Sequence, residues 1–359
     1  MDSAGQFFAL IDALAGRRVA VVGDVVADEF VYGQVARVSR EAPVLILEYD
    51  STEIVAGGAG NAANNVASLG GAARLAAVTG RDEAATRLIA SLHPRVERST
   101  ILRVAGALTP VKTRILAGGV HSAKQQVVRI DRGVRRAVGP EVRAAFERAA
   151  LKAVRRVDAV LVSDYGSGLV TPRLVARLRA AAFDRGPVPV LVDTRYRLLD
   201  YRGLTACTPN ESEVEQALGI TIDDDLRVLE RAGRELLERT RMQAVLITRG
   251  SRGMALFQPG ERTVHIPIFG SDEIADVTGA GDTVMAAVTL ALAAGATFEQ
   301  AARLANYAGG VVVMKRGTAT VNADELRAAV RADRDRRQAQ AAPRLAAPAR
   351  PRAARRARG

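Results

Sequence analysis

The sequence predicts an α/β fold: a central, mostly parallel sheet with helices on both faces and a small β lid. Three observations carry this expectation. Short, β-branched apolar runs recur along the chain, helical stretches separate the later ones, and two strand-like stretches break the rhythm. Strand–helix–strand repetition is what a parallel sheet covered on both faces requires.

The runs are RVAVVGD ending at Asp24, AVLVSDYG (159–166), VPVLVD (188–193) and AVLITRG (244–250). None alternates apolar with polar residues, as expected of strands buried on both faces. Helices are expected over Pro140–Arg156, Thr171–Asp184 and Asp223–Arg241, with a short amphipathic helix in MDSAGQFFALIDALAG at the start. Ligands of such sheets bind beyond the carboxyl ends of the strands. Asp24, Asp164, Asp193 and Arg249 stand at those ends. Each aspartate could equally be a strand-end cap.

The interrupting stretches are residues 30–50, containing APVLILEY, and 109–131, containing PVKTRIL and HSAKQQVVRID. The second reads as a β-hairpin turning at Gly118-Gly119. Together they would form a side sheet over the pocket. A single domain over residues 1–333 is therefore expected, followed by an Arg/Ala/Pro-rich tail, 334–359, whose composition cannot bury a core and reads as disordered.

The chain has 359 residues, 48% of them hydrophobic, enough for a sizeable core. The formal charge of +12 suggests an anionic partner, but the tail holds nine arginines and one aspartate, hence eight of those charges. The rest of the chain is only mildly basic. Nonspecific nucleic-acid binding, if any, is expected of the tail. One cysteine, Cys207, excludes an internal disulfide and fits a reducing compartment. The first residues carry no basic stretch of a signal peptide, and the longest apolar run, Val284–Ala296, falls short of the about 20 residues that span a bilayer. A cytoplasmic protein without membrane contact is expected.

The segment ADVTGAGDTVMAAVTLALAAG (275–295) places a carboxylate, Asp282, at the mouth of an apolar helix. Gly279, Ala280 and Gly281 leave the first backbone N–H groups uncovered, and these with the helix dipole favour an anion. A carboxylate beside that site suits a base that takes a proton from a hydroxyl attacking a phosphoryl group. From spacing alone, a first-turn helix acid behind a tight glycine turn is equally consistent. Other phosphate motifs are missing. There is no Gly-Lys dipeptide and so no P-loop, and GAGNAA (58–63) follows no clear apolar strand. His93, His121 and His265 are scattered without zinc spacing, and Cys207 reads as a small packed residue.

DVTGAGDT (276–283) resembles the signature of the ribokinase-like, or PfkB, family of carbohydrate kinases, and the resemblance extends to about residue 330. GGAGNAANNVASLGG (57–71) is similar to that family's sugar-binding glycine motif, and TPNESE (208–213) to its N-x-x-E motif. VVGDVVADEFVYG with RVSREAPV, LVSDYGSG, and ANYAGGVVVMKRGTATV resemble the branch that phosphorylates D-glycero-β-D-manno-heptose 7-phosphate in ADP-heptose synthesis, a step towards lipopolysaccharide.

The resemblance implies a three-layer α/β/α fold, ATP and Mg²⁺, and a sugar phosphate as acceptor. It implies Asp282 as the base and Gly279, Ala280 and Gly281 as the anion hole. Asp28, Gly57, Gly58 and Asn61 would hold sugar hydroxyls. Asn210 and Glu213 would organise Mg²⁺, with Glu213 acting through water. Thr248, Arg249 and Gly253 would lie along the nucleotide, with Asn306 near its base or ribose. Asp276 and the backbone near Gly317 would hold a monovalent cation such as K⁺. Arg37, Arg40, Lys112 and Arg114 are the lid cations expected to face the acceptor's phosphate. A homodimer through the lid is implied as well.

The sequence departs from that branch at two points. Ser167 stands where D-Y-G-K-G would place a lysine, removing a fixed charge, and Arg40 replaces a usual proline. No H-x-G-H motif of a nucleotidyltransferase occurs, so adenylyl transfer is expected of a separate protein. A kinase of another sugar phosphate or a nucleoside, and a non-catalytic binding protein acting through its tail, are the alternatives.

Overall fold

The computed structural model describes residues 3–118, 124–133, 138–184, 186–270 and 276–341. The chain opens with α1 (Ser3–Ala13), β1 (Arg18–Gly23), β2 (Val25–Val38), β3 (Leu45–Gly58), α2 (Ala59–Ser68), β4 (Ala72–Thr79) and α3 (Glu83–Ala90). Two short strands, β5 (Val96–Glu97) and β6 (Ile101–Arg103), lead to β7 (Val111–Gly118) and β8 (Gln125–Arg132). Then come α4 (Pro140–Ala153), β9 (Ala159–Asp164), α5 (Pro172–Ala182), β10 (Val190–Thr194) and β11 (Ala206–Cys207). The last third holds α6 (Glu211–Leu218), α7 (Leu226–Thr240), β12 (Ala244–Thr248), β13 (Met254–Phe257) and β14 (Val264–Ile266). It ends with α8 (Ala280–Ala293), α9 (Phe298–Val312) and α10 (Ala323–Ala341).

The large sheet runs β14-β13-β12-β11-β10-β9-β1-β4-β5, with β6 also on β4. It is parallel except where β13 joins β12 and β14. Along β1, Val19 and Val21 enter one core while Ala20 and Val22 enter the other. Both faces are covered, so no polar residue marks the alternation. One core packs the sheet against α1, α2, α8, α9 and α10, and the other against α4, α5 and α7. The three-layer α/β/α expectation holds.

Helix boundaries follow local chemistry. Thr171 accepts from the Leu174 N–H before Pro172 at the start of α5, and Asp225 accepts from the N–H groups of Arg227 and Val228 before α7. Helix α8 is apolar all round because it is an inner element, with every residue from Asp282 to Ala291 buried.

The second sheet has the order β3-β2-β7-β8. β2 pairs β3 and β7 pairs β8 in antiparallel fashion, while β2 and β7 are parallel. The expected β7–β8 hairpin is present; its turn residues 119–123, which include Gly119 and His121, lie outside the described residues. β2 starts in the large fold and runs out to the exposed end of the lid, and β3 returns from there to the large fold. β3 delivers Gly57 and Gly58 straight into α2, so a strand does precede the GAGNAA stretch.

α10 continues unbroken to Ala341, past residue 333 and into the first part of the stretch expected to be a disordered tail. Ala, Arg and Gln are good helix formers, and the first proline beyond Asn322 is Pro343. The remaining part of the tail, 342–359, lies outside the described residues. Among the described residues no helix is long and apolar enough to cross a membrane.

Candidate active site

Asp282 lies in the first turn of α8, 5% exposed. Two donors hold its carboxylate. Asn61 Nδ2, from α2, donates to Oδ2 at 3.0 Å, and the Tyr165 hydroxyl, just beyond β9, donates to Oδ1 at 3.2 Å. Burial pushes the Asp282 carboxyl up to about 7; Asp28 adds to the rise, while the two donors and Lys112 oppose it. A carboxyl titrating near neutrality can take and release a proton under ordinary conditions.

The turn before α8 is built for this arrangement. Gly279 has φ +77°, the left-handed region that favours glycine, and a Cβ there would approach Asn61 Nδ2 to 2.5 Å. Asn61 Nδ2 also donates to the Gly279 carbonyl at 3.2 Å, fixing the turn to α2. A Cβ on Gly281 would meet nothing within 4 Å. The helix mouth is open on that side: residues 279–282 line a cavity of about 420 Å³, and the Ala280 N–H donates to the Val277 carbonyl at 3.2 Å. This geometry fits an anion at the helix start.

That cavity is lined by Gly279–Asp282, by Asn210, Glu213, Thr248 and Gly253, and by Asn306 of α9. Asn210 and Glu213 form a capping box at the start of α6: Glu213 N–H donates to Asn210 Oδ1 at 2.9 Å, and Asn210 N–H to Glu213 Oε2 at 3.0 Å. Their spacing thus has a structural cause, and Glu213 still borders the cavity. Burial pushes the Glu213 carboxyl up, opposed by the Asn210 donor and by Arg195. One cavity-facing carboxylate fits a Mg²⁺ held mainly by phosphates and water. Among the described residues no three His, Cys, Asp or Glu side chains are grouped to hold a metal by themselves. Asn306 Nδ2 donates to the Pro267 carbonyl at 2.9 Å. Gly253, at φ +80°, leaves no room for a Cβ against the Ile266 carbonyl.

The residues expected on the sugar side, Asp28, Gly57 and Gly58, gather at the lid base. Asp28 Oδ1 accepts from Arg114 at 2.7 Å and Oδ2 from the Thr318 hydroxyl at 3.0 Å. A Cβ on Gly57 would clash with that same carboxylate, so the glycine gives Asp28 its place. Gly58, at φ +59°, passes the Asp24 carbonyl and the edge of the Tyr165 ring. Asp276 accepts from the N–H groups of Thr278 at 2.8 Å and Gly317 at 3.0 Å, binding the signature loop to the segment after α9.

Several expected residues stand elsewhere. Arg249 turns away from the cavity and pairs with Glu211 at 2.8 Å, in a buried ion pair at the start of α6. Arg37 and Arg40 lie on the exposed outer end of the lid, bordering neither this cavity nor its neighbour. Arg114 is engaged by Asp28. Lys112 Nζ sits 5.1 Å from the centre of the Tyr165 ring, and burial, then Arg195, lowers its pKa. Cys207 is buried and His265 is paired with Glu230, as their sequence settings suggest.

Three groups at the site, Tyr165, Arg195 and Thr318, carry no sequence signal, whereas Asp193 stands at a strand end on the side where a ligand is expected. Tyr165 and Arg195 each follow the last residue of a strand, and the register pairs Thr194 with Asp164, so the two strands end side by side. Arg195 lines the cavity, 3.9 Å from Glu213 and 5.6 Å from the Tyr165 ring centre. Asp193, also lining it, is held well above the usual carboxylate range by burial and by Glu213 and Asp282. Thr318 completes the Asp28 anchor. Ser167 donates its hydroxyl to Asp24 Oδ1 at 2.5 Å and borders a second cavity of about 260 Å³ on the far side of Tyr165.

A buried carboxylate held by two donors beside an open helix mouth, under a β lid, fits a phosphotransferase that acts on a hydroxyl. The comparisons give the family. Residues 17–325 match the pfkB family carbohydrate kinases, and the chain belongs to that family. It is similar to the bifunctional protein HldE of Geobacter sulfurreducens, 42% identical over 308 residues, covering 85% of this chain and 61% of that protein. The HldE of a Caulobacter species is 43% identical over 318 residues, covering 88% of this chain and 63% of the relative. The chain thus spans about three fifths of these curated relatives. Its fold is that of Arabidopsis thaliana ribokinase complexed with ribose and ATP, with TM-score 0.67 and 20% identity over 88% of this chain and 99% of that one. Escherichia coli phosphofructokinase-2 with fructose-6-phosphate shares it at TM-score 0.69 and 17% identity, over 89% and 99%.

Proposed function

We propose that this carbohydrate kinase transfers the γ-phosphoryl group of ATP to the anomeric hydroxyl of D-glycero-D-manno-heptose 7-phosphate, giving the 1,7-bisphosphate. The observation that carries the transfer chemistry is Asp282, buried between Asn61 and Tyr165 at the mouth of α8. The three stretches similar to heptose 7-phosphate kinases support the choice of acceptor, as does the identity with HldE proteins.

In this reading Asp28, Gly57, Gly58 and Asn61 hold the sugar so that one hydroxyl faces Asp282. Asp282 takes that hydroxyl's proton as the oxygen attacks phosphorus. The N–H groups of the Gly279–Gly281 turn receive the charge that develops on the transferred group. Mg²⁺, held through Glu213, would neutralise the nucleotide's phosphates. Thr248 and Gly253 would flank the nucleotide and Asn306 its base or ribose, with K⁺ near Asp276. Lys112, near Tyr165 and Asp282, and Arg114, paired with Asp28, are the lid-base cations we assign to the acceptor's phosphate. Arg37 and Arg40 remain open to a phosphate only through closure of the lid or through a partner's lid in a homodimer. Residues 334–359 take no part in transfer, the protein works in the cytoplasm, and adenylyl transfer belongs to a separate domain or protein.

The test is ADP release from Mg²⁺-ATP across heptose 7-phosphate, fructose 6-phosphate, fructose 1-phosphate, ribose and adenosine. Turnover confined to the heptose phosphate is expected. Turnover on another acceptor overturns the substrate and directs attention to Ser167, where the resemblance to this branch would place a lysine.

A further inference from the structure

We infer that Tyr165 is a positioning residue for the base, orienting the Asp282 carboxylate and coupling it to the lid and to the phosphate cavity. This rests on the proposed role of Asp282.

The tyrosine is placed with unusual thoroughness for a residue outside a strand or helix. Its backbone N–H donates to Asp24 Oδ2 at 2.9 Å, beyond the end of β1. The following glycine, Gly166, has φ +84°, so the chain turns away at once. Gly58 opposes the ring, where a Cβ would stand 3.3 Å from Cε2. The tyrosine lines both cavities. A phenol fixed in this way presents its hydroxyl in one direction, and the acceptor is Asp282 Oδ1 at 3.2 Å. Asn61 takes Oδ2, so the carboxylate plane is set by one donor on each oxygen.

Two cations also meet at this ring. Lys112 comes from lid strand β7, with its Nζ 5.1 Å from the ring centre, and Arg195 from the loop after β10, at 5.6 Å. Cations over an aromatic face draw on its negative quadrupole and make the phenol a stronger donor. The ring therefore joins the lid, the cavity arginine and the base. The charged groups facing Asp282 and Tyr165 are Asp28, Lys112, Asp193 and Arg195. Burial and Asp28 disfavour the ionised base, whereas the tyrosine hydroxyl favours it. Removing the hydroxyl should therefore move the titration of Asp282 to higher pH.

The experiment compares the full-length protein with Tyr165→Phe and with site-specific 3-fluorotyrosine at 165, a more acidic and nearly isosteric phenol. Aspartate is labelled with ¹³C at the carboxyl, and Asp282 is identified by the resonance lost in Asp282→Asn. Tyr165→Phe should raise the Asp282 titration midpoint by about one pH unit, the scale of one hydrogen bond to a charged group. Fluorotyrosine should lower it. In turnover, Tyr165→Phe should lower kcat about ten-fold, leave the KM for ATP within about two-fold, and shift the acid limb upwards. An Asp282 midpoint unchanged in both variants overturns the inference. The carboxyl titration needs no substrate, so absence of turnover in the parent counts against the proposed function alone. If Tyr165→Phe fails to fold, the fluorotyrosine protein carries the same decision.

Discussion

Asn61 Nδ2 lies 3.0 Å from Asp282 Oδ2 and 3.2 Å from the Gly279 carbonyl, linking residues 221 and 218 positions apart in sequence. One amide thus holds both the carboxylate proposed as the base and the turn at the mouth of α8. The same amide's oxygen accepts from Asn65 Nδ2 at 3.1 Å, so the side chain cannot rotate without loss. Asn61→Ala should lower kcat by about 10²-fold and cost about 1–3 kcal/mol of stability through the groups left unpaired. Steady-state kinetics and denaturant unfolding check both. Parent-like kcat would remove Asn61 from the account.

The Asp282 carboxyl, pushed up to about 7 by burial, sets a pH dependence. Transfer needs the ionised form, so kcat/KM should fall with an acid limb near neutrality. Stability should move the other way. A carboxyl whose folded pKa is raised contributes stability below its unfolded value, and this is lost as pH rises through about 7. Asp282→Asn should therefore melt higher than the parent at pH 8, with the gap closing towards pH 5. Calorimetry across that range decides it, and a gap that widens on acidification refutes the assignment.

Gly57 has no side chain because Asp28 occupies the space, with Cγ only 2.8 Å from where a Cβ would stand. Gly57→Ala should displace Asp28 from Arg114 and Thr318. The KM for the acceptor should rise at least about ten-fold while the KM for ATP changes little, since packing displacement is local. Equal changes in both constants would place Gly57 outside the acceptor site.

Arg249 makes a buried ion pair with Glu211 instead of lining the cavity. Arg249→Ala should cost about 1–3 kcal/mol, because Glu211 keeps Arg252 as a second partner. The KM for ATP should change less than about three-fold. A large ATP defect with unaltered stability would return Arg249 to the nucleotide.

Much of this was legible in the sequence because burial on both faces leaves a plain trace. The runs that became β1, β9, β10 and β12 are short and β-branched, and α8 is apolar all round because it packs inside. β4 is less visible: AARLAAVT is mostly alanine and lacks the β-branched signal. Tyr165 and Arg195 were hidden for another reason. Each stands one residue past a strand, and only the β9–β10 register brings them to one ring. Two neighbouring parallel strands ending near Asp164 and Asp193 were the available clue. Arg249 shows the converse, since a strand-end position does not fix where a long side chain points. The end of α10 is hard to see because its last turns carry little hydrophobicity, although Ala, Arg and Gln sustain a helix until proline intervenes.

The central claim is that Asp282 is the base for phosphoryl transfer to the sugar. Its most direct test is single-turnover transfer from Mg²⁺-ATP to D-glycero-D-manno-heptose 7-phosphate by the parent and by Asp282→Asn, with ATP binding measured in both. The account predicts normal ATP binding and a transfer rate reduced at least about 10²-fold in the variant. A transfer rate within a few-fold of the parent's would contradict it.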